Sequence, residues 1–148
     1  GDSIQTVWGT TPVTITGKIP ADRIGALYDR LDVLLAPSTW PESFGLVSRE
    51  AASHGLWVIA GDRGAMGENV ENGQNGFVID VSNTEELEQV LRKIDANPEQ
   101  YLEPPKVLPT LRSANDQGRD LLEFYGRLLK TIDGAGQSKD SRNSYSLT

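Results

Sequence analysis

Three short apolar runs restrict the fold more than any other feature of this chain. Asp32-Val33-Leu34-Leu35-Ala36-Pro37 is continuous in its apolar character and stopped by proline. Trp57-Val58-Ile59-Ala60 ends at Gly61, and Gly76-Phe77-Val78-Ile79 follows fifteen residues later. Runs of this length without polar alternation belong to strands buried on both faces, as in a parallel sheet covered by helices. The intervals between them are too short for a second sheet and long enough for helical crossovers.

Helical spacing fills those intervals. Ile24, Leu27, Tyr28 and Leu31 recur at helical period after the start signal Pro20-Ala21-Asp22. Ser38 to Ser43 is expected to be a loop, and Phe44 to Ser53 a helix with Gly55 as its C-terminal cap. Ser82-Asn83-Thr84-Glu85-Glu86 is a helix start, with cap candidates before acids that suit the positive dipole end, and Leu87, Val90, Leu91 and Ile94 continue it. Upstream, Val13-Thr14-Ile15-Thr16 closed by Gly17 is expected to be one more strand of the sheet. Strands alternating with helices imply βαβ units, hence an α/β fold with a Rossmann-like, doubly wound parallel sheet. Pro98 to Pro109 contains four prolines and is expected to be an extended connector. Leu121, Tyr125, Leu128, Leu129 and Ile132 form a helical stripe. Residues 133–148, without periodicity, are expected to be a disordered tail of no assigned function. The organisation is therefore 1–97, 98–132 and 133–148.

Charge and composition exclude several functions. Fourteen basic and twenty-one acidic residues give a net charge of −7, which disfavours nucleic acid. Residues 67–104 hold nine acids and two bases, a solvated helix face and loop on this reading. The chain contains no cysteine, so no disulfide framework or thiolate nucleophile is available. No apolar run approaches a membrane span, and a cytoplasmic, at most membrane-peripheral, location fits. His54 is the single histidine, so a His-based metal site or a Ser-His-Asp triad would rest on it alone, and a helix-end role is expected. Trp8, Trp40 and Trp57 are expected to be packing or loop residues, and the Gly64-to-Gly67 stretch a plain turn.

The segment richest in chemistry is Pro41-Glu42-Ser43-Phe44-Gly45-Leu46-Val47-Ser48-Arg49-Glu50-Ala51-Ala52-Ser53-His54-Gly55, which follows a parallel strand at its carboxyl end. Open α/β sheets bind ligands there. A helix N-terminus offers unpaired N–H groups and a positive dipole end to a phosphate, and Gly45 admits close approach. Glu42 and Glu50 could accept hydrogen bonds from different ligand hydroxyls. On spacing alone the commoner alternative is favoured: Glu42 complements a helix dipole, and Glu50 is an exposed helix acid beside Arg49.

Glu42 and Glu50, in the frame Pro-Glu-Ser-Phe-Gly-Leu followed by Glu-Ala-Ala-Ser-His-Gly, resemble the E-x7-E motif of GT-B retaining glycosyltransferases of family 4. Val13 to Gly17, Tyr28 to Ser38 and Asn72-Gly73-Gln74-Asn75-Gly76-Phe77 resemble the same family in order and spacing. The resemblance spans roughly residues 12 to 130 and implies part of a GT-B C-terminal, donor-binding domain. It implies sugar transfer from a nucleotide diphosphate sugar to a glycan or lipid-linked acceptor, with retention and with electrostatic catalysis. Glu42 and Glu50 would be the catalytic carboxylates. Glu42 would address the donor sugar's hydroxyls, Ser43, Phe44, Gly45 and Leu46 the sugar and diphosphate, Glu50 the ribose, and Gly17 and Lys18 the nucleobase. No cofactor is implied, and since no Asp-x-Asp occurs, no metal.

Three departures accompany the resemblance. The family's diphosphate-gripping Arg and Lys would lie upstream of Val13, and the acceptor domain lies outside this sequence, so the fragment alone should be inactive. Leu56-Trp57 stands where the family has a proline, and Gly61 to Glu68 is a variant glycine-rich loop. A non-catalytic α/β ligand-binding or interaction module, or a nucleotide-sugar epimerase on the same fold, are the alternatives.

Overall fold

The computed structural model describes residues 3–109 and 114–140. It forms two compact units, Gly1–Pro109 and Thr110–Thr148.

In the first unit, β3 (Val33–Ala36), β4 (Trp57–Gly61) and β5 (Gly76–Ile79) make a parallel sheet in the order β3-β4-β5. The register pairs Leu35 with Ile59 and Ile59 with Phe77. Central β4 is buried at every position. Its side chains alternate between two cores, as the pleat requires. Val58 and Ala60 join Leu34, Ala36, Tyr28 of α1 (Ala21–Tyr28) and Ala51 and Ala52 of α2 (Leu46–Ser53). Trp57 and Ile59 join Phe77, Ile79 and the inner stripe of α3 (Thr84–Ala96), namely Leu87, Val90 and Ile94. Helices thus cover both faces, which accounts for the unbroken apolar runs.

Local signals explain where the elements stop and start. His54 caps α2, and the Gly55 and Leu56 N–H groups return to Ala52 and Ala51 at 3.1 Å each, a Schellman closure with Gly55 at φ 78°. The Asn83 side chain accepts from the Glu85 N–H at 3.1 Å to begin α3. In the loop before β5, buried Asn75 accepts from the Glu71 N–H at 2.7 Å and donates to the Asn69 carbonyl at 3.1 Å.

Four expectations need correction. The upstream strand is β2 (Thr11–Ile15), and it pairs antiparallel with β1 (Ile4–Trp8) in a hairpin of its own rather than joining the parallel sheet. The two-residue Gly9-Thr10 turn makes that local pairing available. The Pro-rich segment is not simply extended: α4 (Glu99–Leu102) buries Tyr101, which meets Trp57 edge-on at 4.9 Å, and the Trp57 indole N–H donates to the Glu103 carbonyl at 3.0 Å. The bulk of Trp57 needs a cover, and this segment supplies it. Helix α2 begins at Leu46 rather than Phe44, because Gly45 takes a left-handed conformation.

The fourth correction concerns the second unit, whose described residues form the helix α5 (Ala114–Asp140). It runs through 133–140, where disorder was expected; no proline interrupts it, and an interior glycine costs only about 1 kcal/mol. Residues 141–148 of the expected tail lie outside the described residues. Leu121, Leu122, Phe124, Tyr125, Leu128, Leu129 and Ile132 are exposed on this helix. Among the described residues no helix is long and apolar enough to cross a membrane.

Candidate functional site

Two loops leave the carboxyl ends of adjacent strands, 37–45 after β3 and 62–64 after β4, and they meet. Glu42 forms a parallel bridge with Gly64, and the Ala65 N–H donates to the Glu42 carbonyl at 2.7 Å. Gly64 has φ 66° and ψ −143°, and a Cβ there would lie 2.3 Å from the Glu42 carbonyl oxygen. Gly45, at φ 63° and ψ 48°, packs against the 3₁₀ turn Ala65–Gly67, where a Cβ would lie 2.8 Å from the Ala65 carbonyl. Both contacts are backbone on backbone, so neither position has room for a side chain. The Gly64-to-Gly67 stretch, expected to be a plain turn, is a short turn packed against the start of α2.

Beside this turn lies the start of α2. Its first internal bond runs from the Arg49 N–H to the Gly45 carbonyl at 3.2 Å. The N–H groups of Gly45, Leu46, Val47 and Ser48 therefore have no acceptor within the helix. Of the amides expected from sequence, Gly45 and Leu46 belong to this set, and Phe44 precedes the helix. Buried Ser48 donates its hydroxyl to the Gly45 carbonyl at 2.9 Å. Ser43, like Glu42, is exposed in the loop.

Arg49 fastens the junction. Its Nε donates to the Phe44 carbonyl at 2.7 Å, its guanidinium lies 4.5 Å above the Phe44 ring, and Nη2 meets Glu68 at 2.7 Å. Glu50 is thus not the acid that Arg49 serves. It is half-buried and accepts from the Tyr28 hydroxyl at 3.2 Å. Burial above all, then the Glu50 charge and the hydrogen bond to it, raises the Tyr28 pKa above its ordinary value.

Gly17 and Lys18 are not brought to these loops or to the start of α2. They line a cavity of about 440 Å³ with Ile19, Arg23, Leu27 and Arg30, none of whose walls comes from 37–50. A smaller hollow of about 200 Å³ lies at the amino ends of the strands, where Asp32, Gly55 and Tyr101 contribute. His54 stands there as a helix-end residue, its Nδ1 2.8 Å from Asp29 Oδ1. Trp8 and Trp40 are exposed while Trp57 is core. Among the described residues no group of three or more His, Asp or Glu side chains could hold a metal ion.

Sequence reasoning missed Tyr28, Arg49 and Gly64 as parts of the site. Tyr28 was read only as one member of a core stripe, and the separation of 22 residues from Glu50 carries no local signal.

Known proteins match this chain over its parallel sheet and the loops that leave it. The model of the family described as glycosyl transferases group 1 matches residues 9–105. D-inositol 3-phosphate glycosyltransferase of Rhodococcus jostii is 38% identical over 86 residues, which cover 58% of this chain and 19% of that protein. The chain spans about a fifth of the length of the curated relatives it matches. Among solved structures, Anabaena HepE in complex with UDP aligns with TM-score 0.50 and 32% identity, covering 57% of this chain and 23% of that one. Sucrose-phosphate synthase of Thermosynechococcus elongatus aligns over 81% of this chain and 30% of its own with TM-score 0.57 at 23% identity, a likeness of fold.

Proposed function

This chain belongs to the group 1 glycosyl transferases, and from that membership we propose that it is the donor-binding part of an enzyme moving a sugar from a nucleoside diphosphate sugar to an acceptor, with retention at the anomeric carbon. The observation that carries the reading is the meeting of two strand-end loops, joined through Glu42 and Gly64, beside the start of α2, whose first N–H groups have no acceptor within the helix. Ligands of open α/β sheets sit at strand carboxyl ends, and phosphates sit at helix N-termini.

In this mechanism the Gly45-to-Ser48 N–H groups and the α2 dipole stabilise negative charge on the departing diphosphate. Glu42 accepts from the donor sugar's hydroxyls and is positioned to favour its developing positive charge. Glu50 accepts from the ribose hydroxyls. The UDP held by the HepE relative supports a uridine-type donor. Acceptor-binding residues lie outside these 148 residues in this reading, in keeping with a match that covers 19% of the Rhodococcus jostii relative, and these residues alone bind donor without transferring it. Diphosphate departure proceeds without a metal clamp in this reading, which the absence of Asp-x-Asp supports.

The test is a titration of the protein with UDP, GDP and ADP and their sugar conjugates, comparing wild type with Glu50→Ala and Glu42→Ala. Glu50→Ala should weaken free nucleotide and conjugate alike, whereas Glu42→Ala should weaken conjugates only. Unchanged affinities in both variants would remove the donor-site assignment.

A further inference from the structure

Glu50 sits on a surface helix, and a glutamate there has three side-chain torsions to fix before it can hold a pair of vicinal hydroxyls. The structure supplies a brace from another element. Tyr28, at the end of α1, is 5% exposed, and its ring packs in the core formed by Ala51, Ala52 and Leu56. The His54 ring covers it at 5.3 Å between centroids, and His54 is itself held by Asp29 at 2.8 Å. From this fixed ring the hydroxyl donates to Glu50 Oε2 at 3.2 Å. Among the described residues it is the hydrogen-bond donor that the Glu50 carboxylate has. Its raised pKa keeps the phenol protonated through the neutral range, so it remains a donor.

We propose that Tyr28 is a positioning residue for Glu50, holding one carboxylate oxygen so that the other faces the ribose hydroxyls of a nucleoside diphosphate. The proposal rests on the ribose role given to Glu50 above. A donor on a rigid, buried ring removes rotameric freedom from the carboxylate before the ligand arrives, and immobilising one such side chain at binding corresponds to about three- to tenfold in affinity. The hydroxyl touches no ligand and takes no proton in the reaction.

Tyr28→Phe keeps the ring and deletes the donor. Affinities for UDP, GDP and ADP, and for their 2′,3′-dideoxy counterparts, should be measured in the wild-type protein, Tyr28→Phe, Glu50→Ala and the double variant. Tyr28→Phe should weaken the nucleotide that wild type binds about three- to tenfold and leave its dideoxy counterpart unchanged. In the Glu50→Ala background the same substitution should add nothing. A loss equal for ribose and dideoxyribose ligands would make Tyr28 a structural residue only, and no loss at all would overturn the proposal while Glu50→Ala still binds weakly. If Glu50→Ala binds as well as wild type, or wild type binds none of the three nucleotides, the ribose reading fails and takes the proposal with it.

Discussion

Gly64→Ala tests whether the two strand-end loops are joined as described. The new Cβ would lie 2.3 Å from the Glu42 carbonyl oxygen and 2.7 Å from its amide nitrogen. Both are backbone atoms, so no rotamer change relieves the overlap. A φ of 66° with ψ −143° lies in a region that residues bearing a Cβ occupy at about 1–3 kcal/mol. Separating the loops then forfeits the 2.7 Å bond from the Ala65 N–H to Glu42, about 0.5–1.5 kcal/mol. The sum, about 2–4 kcal/mol, is a large part of the roughly 5–15 kcal/mol that stabilises a domain. For a unit of this size it corresponds to a fall of roughly 10–25 °C in Tm. Gly73→Ala is the control, since Gly73 has φ 77° but open space around a Cβ, and it should cost roughly 1 kcal/mol. Urea unfolding of both variants gives the comparison, and the slope reports whether the folded state stays compact. Equal midpoints for the two variants would refute the close approach of the loops.

Three further outcomes are expected. Arg49→Ala should destabilise by about 1–2 kcal/mol, mainly through the lost bond to the Phe44 carbonyl, because Glu68 is 61% exposed and its ion pair adds little; Arg49→Lys should not restore it in chemical denaturation, since one ammonium cannot serve both directions over the ring. Among the described residues the buried Tyr101 hydroxyl has no hydrogen-bond partner, so Tyr101→Phe should be neutral or stabilising by up to about 1 kcal/mol, while Tyr101→Ala should cost about 3–5 kcal/mol by the same measurement. Because the folded Tyr28 pKa is raised above the ordinary value near 10, the stability it contributes is fully present below that value and is lost as pH rises through the folded pKa; tyrosinate absorbance should show a late-ionising phenol that Tyr28→Phe removes.

The sheet was legible because its strands are short, continuous apolar runs with nothing else they could form. Val58 and Ile59 are both buried, as neighbouring residues are in a strand covered on two faces. Helix α3 was legible from Asn83 and the acids behind it. The hairpin was not, because its pairing of Ile4 with Ile15 buries little and leaves Trp8 exposed, so no periodic pattern was imposed on it. Tyr101 was hidden among prolines that argue for an extended chain, and its burial answers to the distant Trp57. In the site, the motif from Glu42 to Glu50 identified the right turn and helix, yet the partners of those residues come from elsewhere. Gly64 meets Glu42 across 22 positions, and Tyr28 reaches Glu50 across 22 in the other direction. Contacts of that separation follow from tertiary packing, which local spacing does not encode.

The most direct measurement of the central claim is amide chemical-shift mapping of the protein titrated with UDP. The account predicts the largest shifts at the Gly45, Leu46, Val47 and Ser48 amides, with smaller ones at Glu50 and Gly64. Shifts confined to the Lys18, Arg23 and Arg30 cavity or to the hollow beside His54 and Tyr101, with the start of α2 unmoved, would contradict it.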